Sequence, residues 1–169
     1  MKLLVNKEEI KGMIKSGFDT AKAGFGGPFS ALIFNTDTGE VITYSSNSVL
    51  KDNDPTAHGE VNTIRKACGI LKKPTLEGYS LLTSNEPCPM CLSAIMWARL
   101  DNWYYIADSE TAAQIGFDDI EFFKKMQLVM RMKKVKSEYE KFFKYSDEEL
   151  EESIKIAFKE YKESERTLY

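Results

Sequence analysis

Histidine and cysteine are scarce in this sequence. Its 169 residues include one histidine, His58, and three cysteines, an odd number that cannot pair completely. Free thiols or a metal site therefore suit the chain better than a disulfide framework, and a reducing, cytoplasmic location is expected. No apolar run approaches the roughly 18 residues of a membrane span, so no membrane association is expected. The short apolar run near the N-terminus does not predict a signal peptide.

The chain also lacks an excess of positive charge. It has 23 Lys and Arg against 26 Asp and Glu, a formal net charge of −3 and a pI near 5.4. A protein of this charge has no general attraction to polyanions, so a nucleic-acid partner is not expected unless basic residues cluster locally. The cluster KKVK at 133–136 is small. The length suits one domain, and 43% hydrophobic residues suffice for a core.

Apolar spacing up to residue 119 predicts alternating helices and strands. The predicted elements are a helix over 7–24, a hairpin around the TDTGE turn at 36–40, a helix over 57–71, a strand over 78–84, a helix from 88 and a strand over 102–108. Gly39 supplies the positive φ that the hairpin turn needs. Strands separated by helices require crossovers, which predicts parallel pairing, and the hairpin makes the sheet mixed.

Apolar stripes are predicted on the 7–24 helix and on two later helices. In the 57–71 helix, capped by Asp54 or Thr56, the stripe is predicted to contain Val61, Ile64, Ala67, Cys68 and Leu71. The charge-rich stretch 120–169 is predicted to be a C-terminal helical segment, with a packing stripe of Ile154, Ala157, Phe158 and Tyr161. The expected organisation is a single domain over 1–169, in which 1–119 forms the core.

Cys88 and Cys91 form a pair at the predicted start of a helix that Pro87 and Pro89 introduce. Side chains three residues apart share one helix face, and the free N–H groups of a first turn favour thiolates. A redox pair is one interpretation. A four-cysteine zinc site is excluded, because Cys68 is the only other cysteine.

His58 also precedes a helix that follows a strand-like run. Crossover helices in one sheet begin at the same edge, where active sites of open α/β sheets form. One imidazole and two thiolates supply three ligands for tetrahedral zinc, and three protein ligands with one open position are typical of catalytic zinc.

Glu60 lies two residues after His58, too close to be an easy ligand on the same helix face. Its carboxylate can reach a water at the open position, take a proton from it, and deliver protons to a ring nitrogen and a departing amine. A solvated glutamate near a helix N-terminus is the alternative interpretation.

His58-Gly59-Glu60 followed by Pro87-Cys88-Pro89-Met90-Cys91 resembles the signature of zinc-dependent nucleobase deaminases. The chain is identified as a member of the cytidine-deaminase-like superfamily, and it most resembles the bacterial guanine deaminases. The matching segments are GGPF at 26–29, NDPTAHGEV at 53–61, IRKAC at 64–68, EPCPMCLSAIMWAR at 86–99 and GFDD at 116–119. The resemblance implies a three-layer α/β/α fold with a mixed five-stranded sheet.

The resemblance also implies hydrolysis of guanine to xanthine and ammonia with Zn²⁺. The expected assembly is a homodimer whose C-terminal segments can exchange. Carried onto this chain, catalysis falls to Glu60 and zinc binding to His58, Cys88 and Cys91. Base binding falls to Asn47, Phe29, Asp119, Gly59 and the terminal Tyr169. Two departures from the family are Gly59, where alanine is common, and the poorly matching stretch from 120 onward.

Three alternatives stay open at this point. A tRNA adenosine deaminase shares the zinc core but needs a basic surface for phosphates. A deaminase of another free base or nucleoside, such as cytosine or guanosine, would carry the same motifs. A non-catalytic zinc or redox module would use Cys88 and Cys91 structurally and would have no need of Glu60.

Overall fold

The structure is a computed structural model, and it describes residues 3–117, 122, 124 and 142–163. The elements are α1 Lys7–Lys22, β1 Ser30–Asn35, β2 Val41–Ser46, α2 Val49–Asp52, α3 Gly59–Leu71, β3 Tyr79–Asn85, α4 Pro89–Trp97, β4 Asn102–Ala107, α5 Ser109–Ala113, β5 Phe142–Lys144 and α6 Glu148–Glu163. None of the helices in these residues is long and apolar enough to cross a membrane.

The strands form one mixed sheet in the order β2-β1-β3-β4-β5. Strand β1 is antiparallel to β2 and to β3, and β4 is parallel to β3 and to β5. Four of the strands come from residues 30–107, and the fifth adds three residues beside β4. The predicted hairpin is confirmed, and Gly39 in its turn has a φ of 77°.

The two faces of the sheet carry separate cores, because successive strand residues point to opposite sides. One core joins β-residues such as Leu32, Leu82 and Ile106 to apolar residues of α1, α5 and α6. The other joins Ile33 and Leu81 to residues of α3 and α4. This arrangement confirms the predicted three-layer α/β/α fold.

Helix α3 departs from its prediction at the N-terminus. Its N-cap residue is His58, so the predicted caps Asp54 and Thr56 are wrong. Those two residues form a turn of their own, in which the Thr56 backbone N–H donates to Asp54 Oδ1 at 2.7 Å. The start of α3 is thereby set by the histidine itself.

The buried face of α3 also differs from the predicted stripe. Gly59, Glu60, Thr63 and Ala67 are its buried residues, whereas the other members of the predicted stripe, Val61, Ile64, Cys68 and Leu71, are half-buried. Two of the buried residues are polar, and each hydrogen-bonds within the fold: Thr63 Oγ1 donates to the Ala31 carbonyl at 3.0 Å, and Glu60 accepts from Thr83. Apolar spacing alone cannot identify such a face.

Helix α6 packs against the core of the α1 side of the sheet. The predicted stripe is confirmed, since Ile154, Ala157, Phe158 and Tyr161 are all buried. Salt bridges also connect α6 to α1, with Lys7 Nζ at 3.0 Å from Asp147 and 2.8 Å from Glu149. Strand β5, which precedes α6, was not predicted in this helical segment.

Candidate metal and catalytic centre

The three predicted metal ligands meet at one edge of the sheet. Strands β2 and β3 are both antiparallel to β1, so they end at the same edge. The chain runs from β2 through α2 into α3, and from β3 directly into α4. His58 and Cys88 are the N-cap residues of α3 and α4. Their ligand atoms and that of Cys91 all lie within 4.8 Å of one another.

The spacing of these donors fits zinc. His58 Nδ1 lies 3.7 Å from Cys88 Sγ and 3.5 Å from Cys91 Sγ. Donors around tetrahedral zinc are about 3.6 Å apart when Zn–S is near 2.3 Å and Zn–N near 2.0 Å. Two soft thiolates and one imidazole are also a ligand set that zinc prefers. The side chains therefore hold the arrangement that a three-ligand zinc site requires.

The two thiols are electrostatically unequal. Hydrogen bonds with Cys91 and His58 lower the pKa of Cys88 to about 4, so this thiolate is preformed at neutral pH. The hydrogen bond with Cys88 and burial raise the pKa of Cys91. Zinc is bound by both sulfurs as thiolates, so metal binding releases any proton that the pair holds.

Glu60 is a buried carboxyl group beside this cluster, with 6% of its surface exposed. Burial raises its pKa, and the negative charge of Cys88 raises it further. A carboxyl whose pKa is raised toward neutrality can both accept and return a proton, as a general acid–base must. The alternative of a solvated helix glutamate does not match this burial.

Thr83 is a contact of Glu60 that the sequence did not predict. Its hydroxyl donates to Glu60 Oε1 at 3.3 Å. Alternation along β3 was the available signal, because Thr83 follows Leu81 by two residues and so shares its sheet face, toward α3 and α4. The pairing of that position with Glu60 depends on the tertiary fold.

Three of the predicted base-binding residues lie together next to this centre. The Asn47 backbone N–H donates to the Phe29 carbonyl at 2.9 Å, and a Cβ built on Gly59 would lie 3.1 Å from that same carbonyl oxygen. Asn47 is buried, and its Oδ1 accepts from the Val49 backbone N–H at 3.1 Å. Phe29 is half-buried and makes edge-on contacts with Phe117. Base binding by these residues stays a prediction.

The remaining two predicted base-binding residues, Asp119 and Tyr169, lie outside the described residues. The basic cluster at 133–136 lies outside them as well.

Comparison with known proteins gives matches that agree with this geometry. Residues 8–107 match the family model described as the cytidine and deoxycytidylate deaminase zinc-binding region. A guanine deaminase of Bacillus subtilis (strain 168) is 44% identical over 117 residues, which cover 69% of this chain and 74% of that protein. The X-ray structure of guanine deaminase from Bacillus subtilis superposes with a TM-score of 0.66 at 45% identity, and the match covers 71% of this chain and 76% of that one.

A second kind of relative matches a shorter stretch. A tRNA-specific adenosine deaminase of Agrobacterium fabrum (strain C58) is 45% identical over 67 residues. That match covers 40% of this chain and 44% of the relative.

Proposed function

The chain belongs to the cytidine and deoxycytidylate deaminase family, and from this membership we propose that it hydrolyses guanine to xanthine and ammonia. Its cofactor is zinc. The observation that carries the proposal is the placement of buried Glu60 beside the cluster of His58, Cys88 and Cys91. Guanine is chosen as the base because the similarity to guanine deaminase extends over 69% of the chain.

The chain's own residues have distinct roles in this proposal. His58, Cys88 and Cys91 hold the zinc, which when bound acidifies the attacking water. Glu60 takes one proton from that water and passes it to a ring nitrogen of the base while the water oxygen bonds to the carbon that carries the amine. It then takes the second proton of that oxygen and delivers it to the departing amine. The carbon–nitrogen bond to the exocyclic amine breaks and ammonia leaves.

Base binding is assigned to residues around this centre. Asn47 hydrogen-bonds the purine, Phe29 stacks on it, and the Gly59 backbone N–H contacts a base carbonyl. The first two are supported by the backbone contacts that link Asn47 to Phe29 and Phe29 to Gly59, between His58 and Glu60. Asp119 and Tyr169 complete the proposed set.

A panel of substrates tests the function. Ammonia release is measured with guanine, guanosine, adenine, cytosine and a tRNA anticodon stem-loop, and guanine is expected to give the highest kcat/KM. Faster turnover of the stem-loop, with binding that weakens steeply as salt rises, would instead identify a tRNA adenosine deaminase. Turnover of none of them by zinc-loaded protein would support a non-catalytic module.

The assembly proposed for this enzyme is a homodimer. Large apolar side chains are exposed on the last turns of the neighbouring helices α3 and α4: Ile70 is 52% exposed, Met96 57% and Trp97 86%. Exposed apolar patches of this kind mark protein interfaces. Exchange of the C-terminal segment would place the α1–α6 contacts between chains, so cysteines introduced at positions 7 and 149 would cross-link two chains.

Residues 1–169 are proposed to form one domain, with 1–119 as the deaminase core and 120–169 as a C-terminal segment. A cytoplasmic location is also proposed. It is supported by the free thiols of Cys68, Cys88 and Cys91, which persist in a reducing compartment.

A further inference from the structure

Thr83 lies in the sheet directly beneath the proposed acid–base residue. It is 1% exposed and is paired on both sides, with Ala31 of β1 and Tyr105 of β4. Its Oγ1 lies 3.3 Å from Glu60 Oε1 and 3.2 Å from the Ser30 carbonyl oxygen. The single hydroxyl proton of Thr83 is shared between these two acceptors, and a rigid strand holds it beside the Glu60 carboxylate.

We propose that Thr83 is a positioning residue that holds the Glu60 carboxylate at the angle from which it exchanges protons with water and base. The inference rests on the proposed function. The chemical reason is that proton transfer requires the carboxylate within hydrogen-bond reach of its partners, and small displacements of a catalytic group are costly. A buried strand residue is a more rigid support than a flexible loop.

Paired substitutions at position 83 separate the hydroxyl from the packing. Thr83→Val keeps the shape and removes the hydroxyl, whereas Thr83→Ser keeps the hydroxyl and removes a methyl group. If the hydroxyl positions Glu60, kcat for guanine falls roughly 10-fold or more in the valine variant, KM changes less than kcat, and serine restores most of kcat. Thr83→Ala serves in place of the valine variant if that protein does not fold.

Ser84→Ala is the matched control for loss of a buried hydroxyl. Ser84 Oγ accepts from the Ser30 backbone N–H at 3.0 Å, while Thr83 donates to the carbonyl of that same residue. Each variant therefore loses one side-chain hydrogen bond to the Ser30 backbone, and only the Thr83 variant also loses one to Glu60. Melting temperatures are expected to fall in both, zinc content to stay at the wild-type level in both, and kcat to fall only in the position-83 variant.

Several results would overturn the inference. These are wild-type kcat in Thr83→Val, an equal loss in Thr83→Ser, an equal loss in Ser84→Ala, or a loss of bound zinc that accounts for the lost activity. Failure of the proposed function is separate, because it appears as absence of guanine turnover in the wild-type protein. The position-83 series is then measured with whichever base of the panel is turned over.

Discussion

Gly59 of helix α3 is in contact with Ser30 of strand β1. A Cβ atom built on Gly59 would lie 3.0 Å from the Ser30 Cα and 3.1 Å from the Phe29 carbonyl oxygen. The Ser30 Cα belongs to β1, which pairs with a strand on each side, and the Phe29 carbonyl belongs to the residue just before β1. Moving either backbone atom aside would cost free energy, because the sheet holds both in place. Glycine therefore lets the first turn of α3 approach the sheet, and this turn carries Glu60.

Alanine at position 59 should push the start of α3 away from β1. Family members with alanine at this position need a few tenths of an ångström more space between α3 and β1. At the spacing of this chain we expect Gly59→Ala to lower stability by about 1–3 kcal/mol, the usual range for overpacking, and to reduce kcat by displacing Glu60. The measurements are the free energy of unfolding in urea and guanine turnover. Gly69→Ala on the same helix is the control, because a Cβ there meets nothing within 4 Å. It should be neutral or stabilising by up to about 1 kcal/mol, and equal losses in both variants would contradict the contact.

Glutamine at position 60 tests the proposed acid–base role. Glu60→Gln keeps the size of the side chain and an oxygen that can accept from Thr83, but it cannot exchange a proton. Zinc content should stay at the wild-type level, while kcat falls by roughly 10²–10⁴-fold. The assay is ammonia release together with metal analysis of the same preparation. Unchanged turnover would refute the role of Glu60.

Removal of a ligand should remove the metal. His58→Ala or Cys88→Ala leaves two of the three donors, so bound zinc should drop well below one per chain and activity should be lost. Zinc binds the folded protein, so its loss should also lower the melting temperature. Metal analysis after dialysis is the measurement, and a full complement of tightly held zinc in either variant would rule out this ligand set.

Cys68→Ser is the control for loss of a cysteine. Cys68 is half-buried beside the core of the α3–α4 side, away from the cluster formed by His58, Cys88 and Cys91. Zinc content and turnover should match the wild-type protein. Loss of zinc in this variant would show that the ligands are wrongly assigned.

The metal cluster could be predicted from sequence because each ligand is set by local features. His58 and Cys88 each precede a helix, Cys91 lies three residues beyond Cys88, and crossover topology brings the two helix starts to one edge. None of these steps needs the packing of a particular side chain. The order of the strands and of the longer helices up to residue 107 was predictable for the same reason, whereas the four-residue helix α2 was not predicted.

The contacts that support the cluster could not be predicted in that way. Thr83 meets Glu60 only because β3 and α3 have a particular register, which neither segment specifies alone. The buried polar face of α3 was missed because Thr63 and Glu60 are stabilised by hydrogen bonds rather than by apolar burial. Strand β5 has three residues, too few for a periodic signal.

The contact between α1 and α6 should make the stability of the fold depend on pH, through the carboxyl group of Asp147. The hydrogen bond from Lys7 lowers the pKa of Asp147, and the lowering outweighs the opposite effect of partial burial. A carboxyl whose pKa is lower in the folded state stabilises the fold above its unfolded pKa of about 3.9. That contribution is lost as the pH falls through the lower, folded pKa.

Two substitutions separate the charge of Asp147 from its capping role. Its Oδ1 accepts from the Leu150 backbone N–H at 3.1 Å, as an N-cap residue of α6 does. Asparagine keeps that cap, so the melting temperature of Asp147→Asn should be below wild type at pH 7 and should converge with it below about pH 4. Alanine loses the cap as well and should cost about 1 kcal/mol more. A wild-type advantage over asparagine that persists at pH 2 would contradict the ion-pair explanation.

The exposed ends of α3 and α4 give the sharpest test of the proposed dimer. Trp97 is 86% exposed, the highest fraction among the large apolar side chains that the structure describes. Covering it in an interface would therefore remove a large apolar area from water. A charge at that position would have to be buried in the interface, so Trp97→Glu should shift the protein from dimer to monomer. Ile156→Glu on α6 is the control, since Ile156 is 52% exposed on a different layer and its substitution should leave the mass unchanged. Light scattering after gel filtration measures both variants, and an unchanged dimer mass in Trp97→Glu would place the interface elsewhere.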